Sequence, residues 1–159
     1  MQRSIATVSL SGTLPEKLEA IAAAGFDGVE IFENDLLYYA GSPRQVRQMC
    51  ADLGIAITLF QPFRDFEGCR RDRLQKNLDR AERKFDLMQE LGTDLVLVCS
   101  NVQADALGDE QLLVDDLRLL GEHAGKRGLR IGYEALAWGR HVNTCLLYTS
   151  DAADDTPCV

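Results

Sequence analysis

The chain has 159 residues, 46% hydrophobic and 26% charged, a globular composition that excludes a disordered or fibrous protein. Its net charge of −8 argues against non-specific nucleic-acid binding, which needs a positive surface. It has no apolar run of the ~18 residues that a membrane-spanning helix requires and no signal-peptide layout at its start, so a cytoplasmic protein is expected.

A strand is predicted first, at about 4–9 (Ile5-Ala-Thr-Val-Ser-Leu10). Thr13-Leu14-Pro15-Glu16 then opens a helix at about 14–24, with proline in the first turn and an acid at the positive helix end. From there one layout repeats: an amphipathic helix, a glycine, and a short apolar run. Lys17 to Gly25 leads into a strand at about 27–32 (Asp27-Gly-Val-Glu-Ile-Phe32). Ser42-Pro43 starts a helix at about 43–53, which ends at Gly54 and leads into a strand at about 55–60. A helix at about 70–91 ends at Gly92 before a strand at about 94–99. Asp109 can cap a helix at about 110–127, which ends at Gly128 before a strand at about 129–134.

The helices carry apolar residues at helical spacing, such as Leu18, Ile21 and Ala22, or Val46, Met49, Cys50 and Leu53. Glycine ends a helix because it enters the left-handed conformation without a Cβ clash. The four glycines are 29, 38 and 36 residues apart, the size of a βα unit. The apolar runs suit strands buried on both faces.

Residues 145–159 break the pattern: three Asp, no Lys or Arg, and no helical or strand period. One choice of codons for Cys-Leu-Leu-Tyr-Thr-Ser-Asp-Ala-Ala-Asp (residues 145–154) spells a transposase-library sequencing adapter. This predicts a non-native tail, to be left out of fold reasoning. Without it the charge is −5, and Cys50, Cys69 and Cys99 remain, with no zinc-like or disulfide-framework spacing. Reduced thiols are the simplest expectation.

Alternating strands and helices predict a parallel sheet with right-handed crossovers. A doubly wound dinucleotide fold wants G-x-G-x-x-G after the first strand, but the chain has Ser9-Leu-Ser-Gly-Thr13. A (β/α)8 barrel places polar functional groups at the C-terminal ends of its strands. Here those ends offer Ser9 and Ser11, Glu30 and Glu33, Gln61 and Arg64, Ser100 and Asn101, and Glu134. The expectation is therefore α/β: the N-terminal part of a (β/α)8 TIM barrel, with about five strands and four helices over residues 1–144. A full barrel has eight units and ~250 residues.

Three segments resemble a known family: Gly25-Phe-Asp-Gly-Val-Glu-Ile-Phe32, Leu59-Phe-Gln-Pro-Phe-Arg-Asp-Phe-Glu-Gly68 and Ile131-Gly-Tyr-Glu-Ala-Leu-Ala-Trp-Gly139. They look like the xylose isomerase-like barrels, which include sugar phosphate isomerases and epimerases. Within that group they are most similar to the bacterial 3-dehydroshikimate dehydratases, some of which carry a dioxygenase-like domain downstream. The first segment is widely shared; Gln61-Pro-Phe-Arg64 with Glu134-Ala-Leu-Ala-Trp138 is more specific.

The resemblance implies a lyase of quinate and shikimate breakdown. It would convert 3-dehydroshikimate, a cyclic keto acid, to protocatechuate and water, with a divalent cation (Mg2+, Mn2+ or Co2+) polarising the ketone. It implies Glu134 as a metal ligand, with the other ligands on later strands. One carboxylate does not hold a hard cation, so this chain alone is expected to be inactive. A homo-oligomer is open for the parent, with no nucleic-acid or membrane partner. The alternatives are another isomerase- or epimerase-type barrel enzyme and a non-catalytic half-barrel module.

Arg64 is the candidate for a two-pronged contact with the substrate carboxylate, against a surface ion pair with Asp65 or Glu67. Gln61 is a candidate for a substrate hydroxyl or for ordering Arg64, against a loop-capping amide. Glu30 is a candidate for orienting polar groups at the barrel mouth, against a structural hydrogen bond. His141 lies after the last predicted strand and is the acid–base candidate, against an exposed loop histidine. Tyr133 is expected to pack outward, Trp138 to pack, and His123 to lie on the surface. The run Cys69-Arg70-Arg71-Asp72-Arg73 reads as a solvated helix start, with phosphate binding the weaker reading.

Overall fold

The computed structural model describes residues 2–144. The predicted foreign tail, 145–159, lies outside the described residues. The chain divides into two compact units, residues 2–62 with 86–95, and residues 63–85 with 96–144.

The first unit is a parallel sheet edged by helices. Strand β1 (Ser4–Ala6) pairs with β2 (Gly28–Phe32), and β2 pairs with β3 (Ala56–Arg64). Ile5 lies opposite Val29, and Val29 opposite Ile57. A bulge at Val29/Glu30 shifts the register so that Phe32 meets Gln61. The helices are α1 (Leu14–Ala23), α2 (Glu33–Tyr38) and α3 (Pro43–Asp52). The predicted helix starts are in place. Thr13 N–H donates to Glu16 Oε2 at 2.8 Å, and Ser42 and Gln45 exchange reciprocal bonds. Leu14, Leu18 and Ile21 of α1 and Val46 and Cys50 of α3 are buried, as their spacing predicts. Each such large side chain contributes about 1.5–3 kcal/mol through burial. A buried ion pair at 2.7 Å, Lys17 Nζ to Asp35, joins α1 to α2.

In the second unit β4 (Leu95–Cys99) and β5 (Arg130–Glu134) are neighbours, and Ser100 N–H donates to the Glu134 carbonyl at 2.9 Å. The long helix α4 (Leu74–Leu91) begins in this unit after a 3-10 turn at Arg71–Arg73. Helix α5 (Glu110–Gly125) is capped by Asp109, whose side chain accepts Leu112 N–H at 2.9 Å. Phe63, Phe66, Phe85, Val96, Val98 and Leu120 are buried here.

Four details differ from expectation. β1 stops at Ala6 because buried Thr7 turns into a 3-10 turn and offers its Oγ1, not its backbone, to Phe32 N–H at 3.0 Å. β3 runs on to Arg64, so Gln61 and Arg64 stand in the strand and not after it. There are five α-helices among the described residues, not four: Glu33, expected at a strand end, begins the extra one, α2. β5 is only half-buried, with Arg130 and Glu134 exposed, unlike a strand covered on both faces. Cys50, Cys69 and Cys99 are free and buried.

The four repeat glycines have φ between +68° and +78°. Gly54 (φ +71°) has no atom within 4 Å of where a Cβ would stand, so Gly54→Ala isolates the backbone term. It should destabilise the chain by about 1–2 kcal/mol in urea unfolding. An unchanged midpoint would show that the left-handed stop contributes nothing.

Candidate active site

In the first unit the structure brings Glu30 and Gln61 together. Glu30 is on β2 and Gln61 on β3, and Gln61 Nε2 donates to Glu30 Oε2 at 2.8 Å. Burial pushes the Glu30 carboxyl above its usual range. The pair is half-buried, and each group orders the other. The Gln61–Pro62 peptide is cis.

The second unit holds the other candidates. Arg64 ends β3 with an exposed side chain, and its carbonyl accepts Arg80 Nη2–H at 3.2 Å. Glu134 ends β5, and its Oε2 accepts from the Cys99 thiol at 3.5 Å. Burial first, and then the Glu134 charge, push Cys99 up to about 11, while Arg64 pulls it down. Arg64 and Glu134 thus both act on one buried thiol, which stays protonated and unreactive at neutral pH. Ser100 and Asn101 are buried and spent on structure: Ser100 Oγ accepts Leu136 N–H at 2.9 Å, and Asn101 O accepts Arg140 N–H at 2.8 Å.

His141 is tied down. Its Nε2 lies 2.9 Å from the Ala106 carbonyl, and its ring packs against Gly108. Trp138 is 69% exposed, so it does not pack as expected. His123 is half-buried and bonds Glu82 at 2.7 Å. Arg71, within the basic run, clamps the buried Asp116 with two contacts of 2.7 Å and is committed to that carboxylate. Asp116 also accepts Gly68 N–H at 2.8 Å. Gly68 has φ +64°, and a Cβ there would meet the Leu107 carbonyl at 2.5 Å, so this turn requires glycine.

The residue that sequence reasoning passed over is Glu67, considered only as an ion-pair partner for Arg64. It is 1% exposed. Its Oε1 accepts Asn101 N–H and, at 3.0 Å, the Tyr133 hydroxyl; its Oε2 has no hydrogen-bond partner among the described residues. Tyr133, expected to point outward, therefore reaches a buried carboxyl. Burial raises Glu67 to about 7, opposed by hydrogen bonds from the Asn101 N–H, its own backbone N–H and the Tyr133 hydroxyl, while the Asp65 charge adds to the rise. The one local signal is its place between Phe66 and a glycine turn, which does not separate it from a solvated loop acid.

A cavity of 310 Å3 in this unit is lined by Asp65, Arg70, Arg73, Asn77, Arg80 and Asn101, among others. None of Arg64, Glu134 or His141 lines it, and its arginines have partners: Arg73 holds Asp105 at 3.2 Å, and Arg80 donates to Asn77 at 2.9 Å. No three His, Cys, Asp or Glu side chains gather as a metal site among the described residues. Glu134 is a single exposed carboxylate, so residues 2–144 do not by themselves fit a divalent cation.

The xylose isomerase-like TIM barrel family matches residues 18–155. The chain belongs to that family. Arg64 and Glu134 stand at the C-terminal ends of their strands, the end at which barrels of this kind carry their chemistry. Among curated proteins, the 3-dehydroshikimate dehydratase of Pseudomonas aeruginosa is 84% identical over 144 residues, 91% of this chain and 23% of that protein. Among solved structures, a fusion of a xylose isomerase-like TIM barrel with a 4-hydroxyphenylpyruvate dioxygenase is 97% identical. It superposes with a TM-score of 0.92 over 93% of this chain and 24% of that one. The IolI protein, solved with a bound zinc atom, shares the fold at 18% identity and a TM-score of 0.72, over 84% of this chain and 51% of that one. The chain thus spans about a quarter of the length of the Pseudomonas aeruginosa dehydratase and of the fusion protein.

Glu67 makes stability depend on pH. Its folded value, about 7, lies above the ordinary 4.5, so the fold favours the protonated form. The contribution is complete below about pH 4.5 and is lost as pH rises through 7, a change on the order of 3 kcal/mol at most. Urea unfolding from pH 4 to 8 should show this decline, and Glu67→Gln should flatten it. Equal slopes in the two chains would contradict a buried, proton-holding Glu67.

Proposed function

We propose that this chain is the N-terminal portion of a 3-dehydroshikimate dehydratase, a lyase that forms protocatechuate and water from 3-dehydroshikimate in quinate and shikimate breakdown. The observation that carries the reading is the 84% identity to the Pseudomonas aeruginosa dehydratase. The reading carries a small cyclic keto acid as ligand and a cytoplasmic location, and it leaves a homo-oligomer of the longer protein open. It takes residues 145–159 as foreign to the native chain.

Arg64, exposed at the end of β3, binds the substrate carboxylate with its guanidinium fork. Gln61, held by Glu30, meets a substrate hydroxyl. Glu134 would supply one oxygen to a divalent cation in the longer protein, with the other ligands coming from outside residues 2–144. Such a cation would supply positive charge beside the substrate ketone. His141 is the acid–base group of this reading. Loss of one hydroxyl as water and tautomerisation then yield the aromatic ring.

The test is ring absorbance in the ultraviolet when the longer protein carrying this segment meets 3-dehydroshikimate and a divalent cation. Arg64→Lys should raise KM by about 10- to 100-fold, the value of a lost two-pronged contact. Glu134→Gln should lower kcat/KM by about 100-fold or more, and the 159-residue chain alone should be inactive. Product without any divalent cation, or a fully active Glu134→Gln, would contradict the reading. A longer protein that forms no aromatic product would point to an isomerase or epimerase of the same family.

A further inference from the structure

In the second unit the segments after β3, β4 and β5 meet at one buried carboxyl. Glu67, three residues past β3, receives the Asn101 N–H from beyond β4 and the Tyr133 hydroxyl from β5 on the same oxygen, Oε1. Asn101 Nδ2 closes the tie by donating to the Glu67 carbonyl at 2.8 Å. Asp65, two residues earlier, accepts Val102 N–H at 3.1 Å and Gln103 Nε2–H at 3.0 Å. The segment after β5 is in turn fastened to Ser100 and Asn101.

We infer that Glu67 is a positioning residue: through Tyr133 and Asn101 it fixes the ends of β5 and β4, and with them the Glu134 carboxylate. Glu134 directly follows Tyr133, its carbonyl accepts Ser100 N–H at 2.9 Å, and its Oε2 accepts from Cys99. Both strand ends that touch Glu134 are therefore anchored on Glu67. What Glu134 does once positioned rests on the dehydratase reading; the positioning itself does not.

Space filling does not account for Glu67. A buried carboxyl with one oxygen unpartnered costs stability that an apolar residue would not. Such locally unfavourable groups concentrate where function sets the geometry. What the position requires is a buried acceptor at Oε1. Without it the Tyr133 hydroxyl and the Asn101 N–H both lose their bond to Glu67.

The test is carbon-13 NMR of the full 159-residue chain, labelled at tyrosine rings and glutamate carboxyls, without substrate or metal. Glu67→Ala should move the Tyr133 and Glu134 signals. Glu67→Gln, which keeps the acceptor, should return both close to their original positions. Tyr133→Phe removes only the hydroxyl and should move the Glu134 signal in a chain that stays folded. The inference is overturned if folded Glu67→Ala leaves the Glu134 signal in place, or if Glu67→Gln displaces it as far as alanine does. If the alanine variant does not fold, an unmoved Glu134 signal in Tyr133→Phe overturns it. An original chain without a single resolved Tyr133 signal does the same, since nothing is then positioned. None of these readouts depends on dehydratase activity, so an inactive enzyme showing the expected shifts would remove the proposed function and leave this inference standing.

Discussion

One buried oxygen organises the strand ends of the second unit. Glu67 Oε1 accepts a backbone donor from beyond β4 and a side-chain donor from β5, out of reach of water. In such a place an unmade hydrogen bond costs about 1–3 kcal/mol, so the geometry that satisfies both donors is favoured over nearby alternatives. Ser100, Asn101 and Asp65 extend the tie along the same segments. The exposed groups, Arg64 and Glu134, therefore stand on strand ends whose course is set by buried polar contacts.

Much of the fold is legible in the sequence because its punctuation is chemical. Gly25, Gly54, Gly92 and Gly128 all take positive φ, and Ser42 and Asp109 both cap their helices as read. The errors have local causes. Thr7 lies in an apolar run that reads as strand, yet its hydroxyl takes the β2 donor that a strand backbone would have met, and β1 ends. The strand expected at about 55–60 continues through Pro62 to Arg64. The six residues of α2 are too few to show a helical period, so propensity alone did not reveal them.

The candidate site was partly legible. Glu30 and Gln61 were read as polar groups at strand ends, and they bond each other across β2 and β3. Alternation along a strand says which face a residue takes, but not whether a polar group there meets a ligand or a neighbouring loop. Ser100 and Asn101 meet loops. Glu67 shows the opposite failure: charge suggests exposure, and only long-range contacts with residues 34 and 66 positions away bury it. No local pattern encodes partners that distant. Arg71 is similar, since a basic run suggests a solvated face or an anion, while its carboxylate partner is 45 residues further on.

The described residues supply a carboxylate, a guanidinium and an amide pair, but no closed metal site. The chain covers 23% of its dehydratase relative. The most direct test is to re-read the source DNA across the codon for Thr144. The account predicts that the frame continues into further βα units bearing Asp, Gln or His and Glu at their strand ends. A locus that truly encodes Cys145 to Val159 and then a stop would contradict it.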